Sequence, residues 1–204
     1  MFLSSDIRET ASFLPDFFGD LTDKRVTFIP TASVAETLGF FVRFEKKTLQ
    51  KLGLIVDELD LSHASQDEIT RKVAQNDLIY VSGGNTFYLL QELKRTGTDQ
   101  ILSEAVKNGK FYIGESAGAV IVSPDIEYIG LMDSVKKATQ LTGFSALNLV
   151  DFYPLPHYNG YPFKKVTKKI VEEYDSKIRL KPITNKQAIL VEGDKATIYP
   201  SKLS

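Results

Sequence analysis

"KFYIGESAGAV", Lys110–Val120, holds a short apolar run, then Gly-Glu-Ser-Ala-Gly, then small apolar residues. The first part reads as a β-strand. The last part, Ala117, Gly118, Ala119 and Val120, is small enough to pack closely as a helix. Between them Gly-x-Ser-x-Gly has the form of a nucleophile elbow, a strand-to-helix turn so tight that only small residues fit around the serine. On such a turn Ser116 would stand above a sheet, at the N-terminal dipole of the following helix. Average composition yields the pattern in about one chain of this size in fifteen, so a plain glycine-rich turn is the competing reading.

Working outward, the same strand–turn–helix unit recurs upstream. "RVTFIP" (Arg25–Pro30) is a strand closed by proline, and Ala35 to Leu52 carries Leu38, Phe41, Val42, Leu49 and Leu52 at helical spacing before Gly53. "LIVDELDL" is a second strand. Ser65 and Glu68 form a capping box for a helix through Ala74. "DLIYVS" is a third strand, running through "GGN" into the helix "TFYLLQELKR", and a further helix spans Asp99 to Asn108. Strands alternating with helices predict one α/β domain over residues 1–204, a doubly wound, mostly parallel sheet with helices on both faces. Later, "IEYIG" and "DFYPLP" read as short strands, Pro162 to Tyr174 as an amphipathic helix, and "QAILVEGDKATIYP" as a hairpin. "MFLSS" either starts the sheet or caps it.

Composition narrows the function. Net charge is −1 with the signs interspersed, which gives no footprint for nucleic acid. The absence of cysteine excludes disulfides, thiolate metal sites and a cysteine nucleophile, and agrees with the cytoplasm. No apolar run approaches a membrane span of about 20 residues, and no signal peptide is expected. A histidine base has two candidates, His63 and His157. His157, in "PLPHYNGYP", follows a short strand and precedes a helix, where active-site loops of parallel sheets lie, although packing among Tyr158, Tyr161 and Phe163 would also explain it. His63 reads as a solvated loop residue. For the group that orients the base, spacing does not choose among Asp125, Asp133, Asp151, Glu192 and Asp194. In "SGGN" (Ser82–Asn85) two glycines allow close backbone approach to an oxyanion, while Asn85 reads equally well as a helix N-cap.

Taken in order, "YVSGGNTFYLLQEL", "YIGESAGAVIVSP", "PLPHYNG" and "ILVEGD" resemble the S51 peptidase family over nearly the whole chain from "FIPTAS" onward. The resemblance implies a fold of the flavodoxin-like, class I glutamine amidotransferase-like kind. It implies a serine exopeptidase, a dipeptidase of short peptides that needs no cofactor or metal. Carried over residue by residue, Ser116 is the nucleophile, His157 the base and Glu192 the orienting acid. Gly84 and Ala117 supply the oxyanion-hole N–H groups, and Asn85 and Asp133 lie on the substrate side. The chain departs at one point: the arginine that aspartyl dipeptidases place after the histidine motif is replaced by "GYPFKKVTKKI". Lys165 or Lys164 would have to supply its charge, without the bidentate fork of arginine. A hydrolase of another acyl or isopeptide bond, or a non-catalytic module binding a small ligand, remains compatible with the same residues.

Overall fold

The computed structural model describes residues 1–36 and 39–201. Five parallel strands form the body of the sheet: β1 (Phe2–Ser4), β2 (Arg25–Ile29), β3 (Ile55–Glu58), β4 (Leu78–Val81) and β5 (Phe111–Glu115). A smaller sheet pairs β6 (Tyr153–Leu155) with β7 (Leu180–Pro182) in parallel. The late hairpin, β8 (Ala188–Glu192) and β9 (Lys195–Tyr199), completes a seven-stranded order β3-β2-β4-β5-β1-β8-β9. Here β8 runs antiparallel to β1. The N-terminal segment is therefore not a cap: β1 lies inside the sheet between β5 and β8, with both its faces buried.

Alternation along the strands divides the apolar side chains between two layers, which is why "LIYV" reads as a continuous apolar run. Leu78 and Tyr80 join Phe2, Val26, Phe28 and Ile113 on one face, beneath α1 (Ile7–Thr10), α2 (Leu14–Phe18) and α4 (Gly39–Lys51). Ile79 and Val81 join Leu3, Ile29 and Tyr112 on the other. That face is covered by α5 (Gln66–Gln75), α6 (Thr86–Arg95), α7 (Thr98–Lys107) and α8 (Ala117–Val120), and its cluster extends to Ile170 of α9 (Lys164–Tyr174). The short α3 (Thr31–Val34) follows β2. Ser65 caps α5 by accepting the Glu68 N–H, and Asn85 caps α6 by accepting that of Tyr88. Both caps lie where polar residues precede apolar periodicity.

Two expectations need correction or restriction. "IEYIG" is not a strand: Glu127–Leu131 is a 3₁₀ helix with Tyr128 and Ile129 buried. A short apolar run leaves strand and helix undecided, and here the pair Tyr128 and Ile129 is buried from a 3₁₀ turn. Leu38, expected on the apolar face of the helix after β2, lies outside the described residues.

Candidate active site

The elbow is built by close packing of backbone on backbone. Ser116 has φ 48° and ψ −106°, a conformation rarely held by a non-glycine residue, and it persists because both sides are fixed. On one side its N–H donates to the Ser4 carbonyl of β1. On the other, a Cβ at Gly114 would stand 2.3 Å from the Gly118 oxygen, and one at Gly118 would stand 2.1 Å from the Val81 oxygen. Both glycines of the motif are thus required for α8 to lie this close to β4 and β5. The Tyr112 hydroxyl donates to the Gly118 carbonyl at 2.7 Å and ties α8 to the strand before it.

Gly83 and Gly84 follow β4 and border the same crevice. Gly84 has φ 140°, and a Cβ there would stand 2.2 Å from the Ala32 oxygen. Among the described residues, the N–H groups of Gly84 and Ala117 donate to no protein acceptor. These are the two positions expected to form an oxyanion hole.

His157 arrives on a different support. It lies two residues beyond β6, with φ 60°, and its N–H donates to Ser5 Oγ at 3.0 Å. Its ring stacks on Phe163 with centroids 5.0 Å apart. The ring reaches the elbow serine: Ser116 Oγ and His157 Nε2 are 3.0 Å apart. Nδ1 meets Asn185 Oδ1 at 2.8 Å. Because that amide oxygen only accepts, Nδ1 carries the proton and Nε2 is left as the acceptor for the serine hydroxyl. Burial depresses the imidazole pKa below its ordinary value, while the Asn185 hydrogen bond acts in the opposite direction.

Asn185, not Glu192, therefore occupies the orienting position on the imidazole. The reason is topological. β8 runs antiparallel to β1, so Ala188 lies beside Ser4 at the catalytic end and Leu190 beside Phe2. Four residues of extended strand, roughly 13 Å, carry Glu192 to the opposite end of the sheet, where it is exposed in the turn beside Lys195. Asn185 stands three residues beyond β7, as His157 stands two beyond β6, and the parallel pairing of those strands brings the two loops together. Thr184 N and Oγ1 both donate to Gln187 Oε1, which shapes the Asn185 loop. The polar "TNKQ" after an apolar segment was the available signal, but nothing in the spacing paired it with "PLPHYNG".

The dyad opens into a cavity of about 520 Å³. Asp133 lines it, with Oδ2 accepting Thr86 N–H at 2.8 Å and Thr86 Oγ1 at 2.5 Å. Burial raises its carboxyl to about 6, against those two hydrogen bonds. Asn85 is buried behind it, its amide spent on capping α6 and on the Ser134 carbonyl. Lys164 and Lys165 are exposed on α9 and do not line the cavity. The remaining wall includes Asp6, Arg8, Glu36, Glu45 and Glu115. Among the described residues no three His, Asp or Glu side chains form a metal-binding group.

A family model described as peptidase family S51 matches residues 3–199. The chain belongs to this family. It is 55% identical to Uncharacterized peptidase Lmo0363 of Listeria monocytogenes over 95% of this chain and 94% of that one. It is 30% identical to Peptidase E of Haemophilus influenzae over 74% of this chain and 66% of that one. A 1.5 Å crystal structure of a Listeria monocytogenes protein assigned provisionally to peptidase E superposes with a TM-score of 0.94 at 53% identity, covering 100% of this chain and 98% of the other. The S51 peptidase described here is thus an α/β peptidase, and the crevice around Ser116 and His157 is its candidate site.

Proposed function

We propose that this S51 peptidase is a serine exopeptidase, a dipeptidase of short peptides working through an acyl-enzyme. The observation that carries the reading is the run Ser116 Oγ–His157 Nε2–His157 Nδ1–Asn185 Oδ1, with separations of 3.0 and 2.8 Å, at a strained elbow. His157 Nε2 takes the hydroxyl proton as Ser116 Oγ bonds to the first peptide carbonyl carbon. The carbonyl electron pair moves onto the oxygen, toward the N–H groups of Gly84 and Ala117, each worth roughly 3 kcal/mol in comparable sites. The imidazolium then returns its proton to the departing amine as the C–N bond breaks. Water, deprotonated by the same nitrogen, cleaves the ester and restores Ser116. Asn185 keeps Nδ1 protonated and the ring in plane throughout; as a neutral amide it orients the imidazolium and offers it less charge stabilisation than a carboxylate would.

A cavity of this size takes a ligand of a few residues, which favours a dipeptidase over an enzyme cutting folded proteins. The test is hydrolysis of X-Leu dipeptides followed by mass spectrometry, beside labelling with a fluorophosphonate. Cleavage and stoichiometric labelling, both abolished by Ser116→Ala, are expected. A Ser116 that neither labels nor cleaves leaves a binding module in this fold.

A further inference from the structure

Five carboxyl groups line the cavity, and they differ in what faces them. Asp6 is matched: Arg8 Nε and Nη2 donate to its two oxygens at 2.9 and 2.5 Å, and the Arg8 N–H adds a third bond at 3.0 Å. Glu36 meets Lys137 at 3.2 Å. Among the described residues Asp133 is held by Thr86 alone. Among the described residues Glu45 and Glu115 meet only neutral donors: Ser82 Oγ donates to Glu45 at 2.5 Å, while Ile7 N–H and the Tyr80 hydroxyl donate to the two oxygens of Glu115. Glu45 and Glu115 are 6% and 7% exposed, and both border the cavity next to the nucleophile. Glu115 immediately precedes Ser116, and Glu45 is joined to the Gly83–Gly84 turn through Ser82.

Burial of two carboxyl groups here favours their protonated forms. Burial drives Glu115 far above the carboxylate range, and Glu45 is raised to about 7, with Ser82 and Glu115 hydrogen bonds opposing the rise and the Asp6 charge adding to it. Arg8 offers little relief, since its fork is committed to Asp6. An arriving cation would favour the ionised form and complete the site. An arriving carboxylate would meet those two acids, and Arg8 on the same wall is already paired with Asp6.

Resting on the dipeptidase reading above, we infer that Glu45, backed by Glu115, receives a positively charged side chain on the substrate's first residue, so that dipeptides beginning with Lys or Arg are preferred to those beginning with Asp. The site for the charge comes from α4 and the elbow, and the lysines of α9 take no part.

Two measurements test this. In the first, kcat/KM is compared for Lys-Leu, Ala-Leu and Asp-Leu with wild type and Glu45→Gln. Lys-Leu is expected to exceed Asp-Leu on the order of a hundredfold, and the Lys-Leu to Ala-Leu ratio to fall to about one in the variant. These are ratios within one preparation, so a partly unfolded variant does not disturb them. In the second, L-lysine, L-alanine and L-aspartate are titrated calorimetrically into the full chain in two buffers of different ionisation enthalpy. Lysine is expected to bind roughly tenfold tighter than alanine and to release protons, an advantage that Glu45→Gln removes. Asp-Leu equal to or better than Lys-Leu, or a lysine preference that survives Glu45→Gln, overturns the inference. If no dipeptide is cleaved the dipeptidase reading fails, and the titrations still decide the pocket.

Discussion

Ser116 stands on a unit contiguous in the chain, whereas His157 is held by residues 152 and 28 positions away. The proposed nucleophile sits on a strand, a turn and a helix contiguous in sequence, locked by Gly114 and Gly118 against backbone. The proposed base sits on a two-stranded sheet outside the main one, tied in through Ser5, whose hydroxyl accepts the His157 N–H and donates to the Ile183 carbonyl. One half of the site is therefore fixed by sterics that tolerate no added atom. The other is fixed by a few hydrogen bonds, each worth roughly 1 kcal/mol net. The first half should break abruptly under substitution, and the second should loosen by degrees.

The largest effect is expected at Ser116→Ala, with turnover falling roughly 10⁴- to 10⁶-fold while the urea midpoint stays put. A variant that retains peptidase activity would move the nucleophile elsewhere. Gly118→Ala comes next. Its Cβ would meet the Val81 oxygen at 2.1 Å, so α8 must back away from the sheet, at a cost of about 3 kcal/mol in denaturant unfolding along with most of the activity. Wild-type stability in that variant would mean that the elbow is not sterically locked.

On the base side, Asn185→Ala is expected to slow turnover on the order of a hundredfold with little change in KM, because the ring loses its tautomer and its plane. Asn185→Asp sharpens the point through pH. The base works when neutral, and burial lowers its pKa from the ordinary 6.5, so wild-type activity should persist on the acid side of that value. A carboxylate on Nδ1 raises the pKa, which moves the acid limb of kcat toward higher pH by about one unit. An unmoved limb would show that Asn185 does not touch the catalytic imidazole. Ser5→Ala should cost only about 1 kcal/mol and a severalfold loss of turnover, seen together in melting and kinetic data. The smallest effect belongs to Glu192→Gln, within about twofold, since the hairpin points that residue away from the crevice. A hundredfold loss there would restore Glu192 to the site and contradict the register of β8 on β1.

This contrast also explains what the sequence made legible. Most of the βα units from Arg25 to Val120 could be read locally, because strand, turn and helix follow one another and the Ser65 and Asn85 caps sit at their expected offset. The helix expected over Ala35 to Leu52, however, begins at Gly39 after a separate turn of helix at Thr31–Val34. The family motifs carried Ser116 and His157 to the same crevice. The Glu192 assignment failed at the one step that depends on direction: an antiparallel strand reverses which of its ends faces the site, and local patterning does not record that reversal. Asn185 was hidden for a related reason. Its link to His157 runs through the parallel pairing of two three-residue strands 24 residues apart at their near ends, too short to leave a periodic signal. β1 was left open because three apolar residues fit either a sheet or a cap.

The two-stranded support of His157 and Asn185 has a mechanical consequence. Base and orienter share one platform, so their mutual bond belongs to that platform, whereas the bond from base to nucleophile spans the joint between the platform and the main sheet. A bulky inhibitor wedged into the crevice would lengthen the second bond and spare the first. In a proton spectrum the downfield Nδ1–H resonance would then hold its position while the Ser116 contact is lost, a gearing in which alignment of the imidazole is preserved through each opening and closing of the catalytic hydrogen bond.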